Sequence, residues 1–206
     1  MKRKRLTGPE RRAQIMEASL EIFAQKGYNG ARTKEIAKAA GISETLIFQH
    51  FGSKERLYAE ALDFLFSHHP VWSELEESIA KRDDRGVLFN LARHMIEHGR
   101  KDPRIVRLVI FSGLERLSLP RELHNKPLES GDQRLPIPEL VNYLRLRMAD
   151  GVLKPLDPTV AAKLFIYMVF QTIADHHLRL SGEPLGLSDD EAARTIVDLF
   201  LEGIKA

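Results

Sequence analysis

Cysteine is absent from the 206 residues, so disulfides, thiolate metal sites and cysteine nucleophiles are all excluded. No run of eighteen apolar residues occurs, and nothing reads as a membrane-spanning helix. The opening MKRKRLTGPERR carries charge where a secretory leader has an apolar core, and a cytoplasmic protein is the expectation. A glycine-rich phosphate loop, an H-E-x-x-H pair and a nucleophile–base–acid spacing are likewise missing. We therefore expect no enzyme and no cofactor. Internal repeats, low-complexity tracts and convincing strands are not found either.

What is present is a packable, unevenly charged chain. Hydrophobic residues make up 43% of it, enough for a core. The net charge of +2 hides an asymmetry: residues 1–56 hold 12 Lys and Arg against 6 Asp and Glu, whereas the other 150 hold 19 against 23. A basic first part on a mildly acidic remainder suits a polyanion partner for the first part, with a solvated basic surface as the plain alternative.

Local signals predict an all-helical chain. Thr7-Gly8-Pro9-Glu10 reads as a capping box that opens a helix running to about Lys26, where Gly27 ends it. Thr33 is expected to cap a second helix through Ala40, with Gly41 as its left-handed stop. Ser43 caps a short third helix and Ser53 a fourth. Longer helices follow at about Asp84–His98, closed by Gly99, and from the Asp102-Pro103 pair to about Leu117. Residues 118–138 hold four prolines and read as a long loop. The remaining helices are expected at about Pro138–Asp150, Pro158–Leu180 and Ser188–Ile204, the last with the capping box Ser188–Glu191.

The second and third helices, joined at Gly41-Ile42-Ser43, make a helix-turn-helix with Ile36, Ile42, Ile47 and Phe51 as shared core. A helix as short as the third is not stable alone, so its polar side must have a use. In a braced helix-turn-helix that use is entry into a DNA major groove. The run from Ile15 to Leu62, IMEASLEIFAQKGYNGARTKEIAKAAGISETLIFQHFGSKERLYAEAL, resembles the DNA-binding domain of the TetR family of bacterial transcriptional regulators. Its landmarks fall in register: Phe23, Gly27-Tyr28, Thr33, Ile36-Ala37, Ala40-Gly41, Ser43, Phe51 and Lys54-Glu55-x-Leu57.

The resemblance implies roles position by position. Thr33 and Lys54 match phosphate-binding positions, and Ser43 matches the cap that faces the DNA backbone. Glu44 stands where the family often has lysine; a glutamate can accept from cytosine N4 instead. Thr45 and Leu46 sit at groove-entering positions, with a thymine methyl as the target of Leu46. Phe48 replaces a common tyrosine and loses its hydroxyl. Gln49 suits adenine, and His50 matches a phosphate-contacting aromatic position. The tail Lys2-Arg3-Lys4-Arg5 suits the minor groove or merely raises non-specific affinity.

In the remainder, Val160 to Ala174 reads VAAKLFIYMVFQTIA, with twelve of fifteen positions apolar. A helix apolar nearly all round needs cover on nearly all sides. A second subunit is the expected cover, through Leu164, Phe165 and Met168 here and Ile196, Val197 and Phe200 of the last helix. The resemblance implies the same four-helix dimer interface. The aromatics Trp72, Phe89, Phe111, Tyr143, Tyr167 and Phe170, with His94 and Gln171 as polar anchors, make an apolar effector pocket feasible. His94 and His98 share one helical face, but no metal site is expected from them.

These readings give an all-α chain. Residues 1–52 form a three-helix helix-turn-helix domain, and 53–206 form a larger helical ligand-binding and dimerisation domain. The function expected is a ligand-responsive transcriptional repressor, released from a palindromic duplex operator by a small, largely apolar effector. An activator, a ligand-independent regulator and a small-molecule-binding protein with a basic appendage are the alternatives. A homodimer without membrane contact completes the picture.

Overall fold

Thr7 and Glu10 cap the first helix reciprocally: the Thr7 N–H donates to the Glu10 carboxylate at 2.7 Å, and the Glu10 N–H donates to the Thr7 hydroxyl at 3.4 Å. In this computed structural model residues 6–67, 71–115, 137–179, 182–183 and 185–206 are described, with 66–67 and 71–74 as backbone only. The first helix, α1 (Gly8–Gly30), is broken at Gly27, whose φ of 69° and ψ of 177° leave the helical region. The stop signal read there is a true break, with one more short turn beyond it. Then come α2 (Thr33–Ala40), α3 (Glu44–Phe51) and α4 (Lys54–Ser67). Gly41 takes φ 64° and ends α2, which lets the Ile42 N–H donate to the Ala37 carbonyl at 3.0 Å.

Six further helices follow among the described residues: α5 (Val71–Ala80), α6 (Asp84–Lys101), α7 (Pro103–Leu114), α8 (Ile137–Ala149), α9 (Pro158–Leu178) and α10 (Asp189–Ile204). Helix α5 was not anticipated, although Val71, Trp72, Leu75 and Ile79 keep helical spacing. Gly99 does not close α6, which runs on to Lys101. It is buried instead, where a Cβ would stand 2.6 Å from Ile173 Cγ2, so glycine there permits close approach of α6 and α9. Thr33 is not the cap of α2 either. Arg32 holds that position, with its N–H donating to the Glu35 carboxylate at 3.4 Å, and Thr33 is the first helical residue.

The chain divides into two compact units, 1–68 with 107–134 and 69–106 with 135–206. In the first, α1 packs on α2 and α4 around Ile15, Leu20, Phe23, Ile36, Ile47, Phe51 and Leu57, all buried. In the second, α6 packs on α5, α9 and α10, and α8 packs on α9, around Leu88, Leu91, Leu144, Phe165 and Val197. Among the described residues the one extended pairing is a bridge between Leu153 and Lys205. No described helix is long and apolar enough to cross a membrane. The tail Lys2–Arg5 and residues 116–136, most of the expected loop, lie outside the described residues.

Candidate nucleic-acid interface and subunit face

Helix α3 starts at Ser43, whose hydroxyl accepts from the Leu46 N–H at 3.3 Å. Eight residues cannot hold a helix unaided, and the rest of the unit does it for them. Ile47 and Phe51 are buried against the neighbouring helices. Arg12, on α1, donates to the carbonyl of His50 and to the carboxylate of Glu60, and its guanidinium lies 4.4 Å from the centroid of the Phe51 ring. One side chain thereby ties α1, the end of α3 and α4 together. Gln14 adds a hydrogen bond to the Ala40 carbonyl at 3.1 Å. Sequence reasoning missed Arg12, because nothing local marks an arginine that acts across the fold.

The outward side of α3 presents Thr45, Phe48 and Gln49, all exposed, with Ser43 exposed at its start. Leu46 and His50 are half-buried. Glu44 is also half-buried, and its carboxylate accepts from the Thr33 hydroxyl. The two residues are thus brought together rather than presented separately. Lys54 is half-buried, its ammonium 4.4 Å from the centroid of the Tyr28 ring. Burial pulls its pKa down from the usual lysine value, with the nearby Glu55 and Glu115 charges acting against that.

Tyr28 anchors the broken end of α1. Its ring stands edge-on to Tyr58, with centroids 5.3 Å apart, and its hydroxyl donates to Glu55 at 2.6 Å. That bond holds the Glu55 carboxyl below its ordinary value, while burial first and Glu55 second push the Tyr28 phenol up. Burial, with Glu115 contributing second, pushes the Tyr58 phenol up to about 12.

The residues expected to line an effector pocket are distributed over both units. Phe111 belongs to the first unit, where its Cδ1 would lie 2.9 Å from a Cβ on Gly27. Tyr143 is buried and donates to Asp84 at 2.7 Å, the carboxylate that also accepts from Arg147 Nε at 2.7 Å. Phe89, His94 and Phe170 are half-buried on α6 and α9. The side chain of Trp72 lies outside the described residues. The His94 and His98 rings sit 4.3 Å apart, and among the described residues no group of three or more His, Asp or Glu could hold a metal.

Tyr167 and Gln171 lie elsewhere, in an open apolar groove of 1090 Å³ on α9 and α10 that Leu164, Met168, Ile196 and Phe200 also line. Leu164 is 55%, Tyr167 57% and Leu199 64% exposed there. Phe165 and Val197, expected in the same subunit contact, are fully buried within their own unit and only support the groove from behind.

A short helix braced to display its outer side, on a basic unit, is the geometry of a DNA-reading head. The sequence profile described as "Bacterial regulatory proteins, tetR family" matches residues 15–61, which spans α1 to α4. The chain is 26% identical to the uncharacterized HTH-type transcriptional regulator YvkB of Bacillus subtilis (strain 168), over 93% of this chain and 96% of that protein. Residues 15–61 therefore carry a TetR-family DNA-binding domain. The HTH-type transcriptional repressor NicS of Pseudomonas putida (strain KT2440) is 24% identical over 94% of this chain and 92% of its own. A crystal structure of AibR in complex with isovaleryl coenzyme A and operator DNA shares the fold, with a TM-score of 0.64 at 22% identity over 92% of this chain and 97% of that one. The matched proteins are transcriptional regulators, and the chain is a DNA-binding transcriptional regulator.

Proposed function

We infer that the protein is a homodimeric, cytoplasmic repressor without enzymatic activity, released from a palindromic operator by a small, largely apolar effector. Residues 1–52 serve as the DNA-contacting domain and 53–206 as the effector-binding and dimerisation domain. The observation that carries the reading is the braced outer side of α3, where Thr45, Phe48 and Gln49 are exposed while the rest of the helix is held from three directions. Ser43, His50 and Lys54 take the phosphates, Thr33 joins them when its hydroxyl turns from the Glu44 carboxylate, and Thr45, Leu46, Phe48 and Gln49 face the bases. Glu44 holds the Thr33 hydroxyl in the free protein. The repressor NicS supports the sign of regulation, and AibR, solved with isovaleryl coenzyme A and operator DNA, supports a small-molecule ligand.

Two further features support the assembly. The groove on α9 and α10 exposes more contiguous large apolar side chains than a solvated face tolerates. A second copy of the same groove would cover it, through Leu164, Met168, Ile196 and Phe200. We propose the effector site on α6 and α9, which carry Phe89, His94 and Phe170 and pack together in the second unit.

The test is selection of duplexes from a random pool by the dimer, followed by gel shift across a salt series. The reading expects a two-fold symmetric sequence, with half-sites about 34–36 Å apart. A basic appendage would enrich nothing, and that result would sink the proposal.

A further inference from the structure

On the outward stripe of α3, Thr45, Phe48 and Gln49 stand at i, i+3 and i+4, and Phe48 is the anomaly. Its ring is 44% exposed, whereas Ile47 and Phe51 on the other side of the helix are 0% and 1% exposed. The ring therefore adds little to the core, and in free protein it leaves apolar surface in water. Leu46, the other apolar side chain at the groove-entering end, is half-buried. Glu44, which in principle could take a cytosine amino group, has its carboxylate engaged by the Thr33 hydroxyl.

We propose that Phe48 is a specificity-determining residue that packs its ring on the 5-methyl group of a thymine in each operator half-site. The proposal rests on the DNA-binding reading above. A phenyl ring can neither donate to a phosphate nor pair with a base edge. The one apolar group that a base pair displays in the major groove is the thymine methyl. Gln49, exposed beside Phe48, carries the amide that suits adenine N6 and N7. Together they favour a half-site with an A·T patch under the middle of α3.

Replacing thymine by uracil removes the methyl and nothing else, which makes the contact measurable. The duplex enriched by wild-type protein is resynthesised with uracil at each thymine of the half-sites in turn, and affinity is measured by gel shift. At one position uracil should weaken wild-type binding by about threefold to tenfold, the order expected for one buried methyl. Phe48→Ala should bind the thymine duplex correspondingly more weakly and be indifferent to uracil at that position. Phe48→Leu, still apolar, should keep part of the preference; it guards against a loss that comes from altered folding. Should the effects of Phe48→Ala and uracil simply multiply, or should no uracil matter to wild type, the contact is overturned while DNA binding stands. Failure to enrich any duplex would overturn the DNA-binding reading and the contact with it.

Discussion

The carboxylate of Glu115 accepts the backbone N–H of Tyr28 at 2.7 Å, and its other oxygen accepts that of Asn29 at 2.9 Å. These N–H groups follow the break at Gly27, where the helical hydrogen-bond ladder is interrupted, and a side chain from 87 residues away takes them up. Glu115→Ala should destabilise the first unit by about 1–3 kcal/mol, since two donors lose a charged acceptor. Gly27→Ala should cost a similar amount, for the strain of φ 69° and because the new Cβ would stand 2.6 Å from that carboxylate. Urea unfolding of both variants checks this, and a Glu115→Ala midpoint equal to wild type would refute it.

The Tyr28–Glu55 bond makes part of this stability depend on acid. Because the folded-state pKa of Glu55 lies below its ordinary value of 4.5, its contribution is present above about 4.5 and is lost as pH falls through the folded pKa. Tyr28→Phe should therefore be less stable than wild type by about 1 kcal/mol at neutral pH. The gap should close in acid. Thermal melts of the two proteins across pH 3–7 follow it, and a gap that widened in acid would contradict the assignment.

Arg12 should position the reading head without reading. Arg12→Lys keeps the charge but loses the fork that reaches His50 and Glu60 together. Binding should weaken about fivefold to thirtyfold on every duplex, in keeping with roughly 1–2 kcal/mol, with base preference unchanged. A gel-shift panel of single-base variants of the selected duplex is the measurement.

Gly99 and Ile173 should couple. Gly99→Ala drives a methyl against the Ile173 side chain and should cost about 1–3 kcal/mol. Adding Ile173→Ala should recover part of that loss, even though Ile173→Ala alone opens a cavity. Denaturant unfolding of the four proteins in the cycle gives the coupling directly.

The subunit contact separates neighbours on one helix. Leu164→Asp places charge on an exposed position and should yield a folded monomer. Phe165→Asp places it on a fully buried one and should unfold the second unit. Light scattering with circular dichroism distinguishes the two outcomes. A Leu164→Asp protein that remained dimeric would refute the placement of the interface.

By itself the sequence determined the helices that local chemistry starts and stops. Thr7 with Glu10, Gly41, Ser43 and Ser188 with Glu191 act over at most five residues, so their effects are legible in order along the chain. The helix-turn-helix was legible for the same reason, its turn and its buried positions being near neighbours. Only the tertiary structure decided the rest. Gly99 looked like a stop because the side chain that needs its small size, Ile173, lies on another helix. Thr33 looked like a cap because the acceptor that claims its hydroxyl, Glu44, belongs to α3. On α9, apolar nearly all round, no polar stripe sets the rotation, so Leu164 and Phe165 read alike. The packing of α6, α8 and α10 turned Phe165 inward and left Leu164, Tyr167 and Gln171 on the open face. Local hydrogen bonds are written in adjacent residues, whereas burial is decided by whichever helix arrives to cover a face.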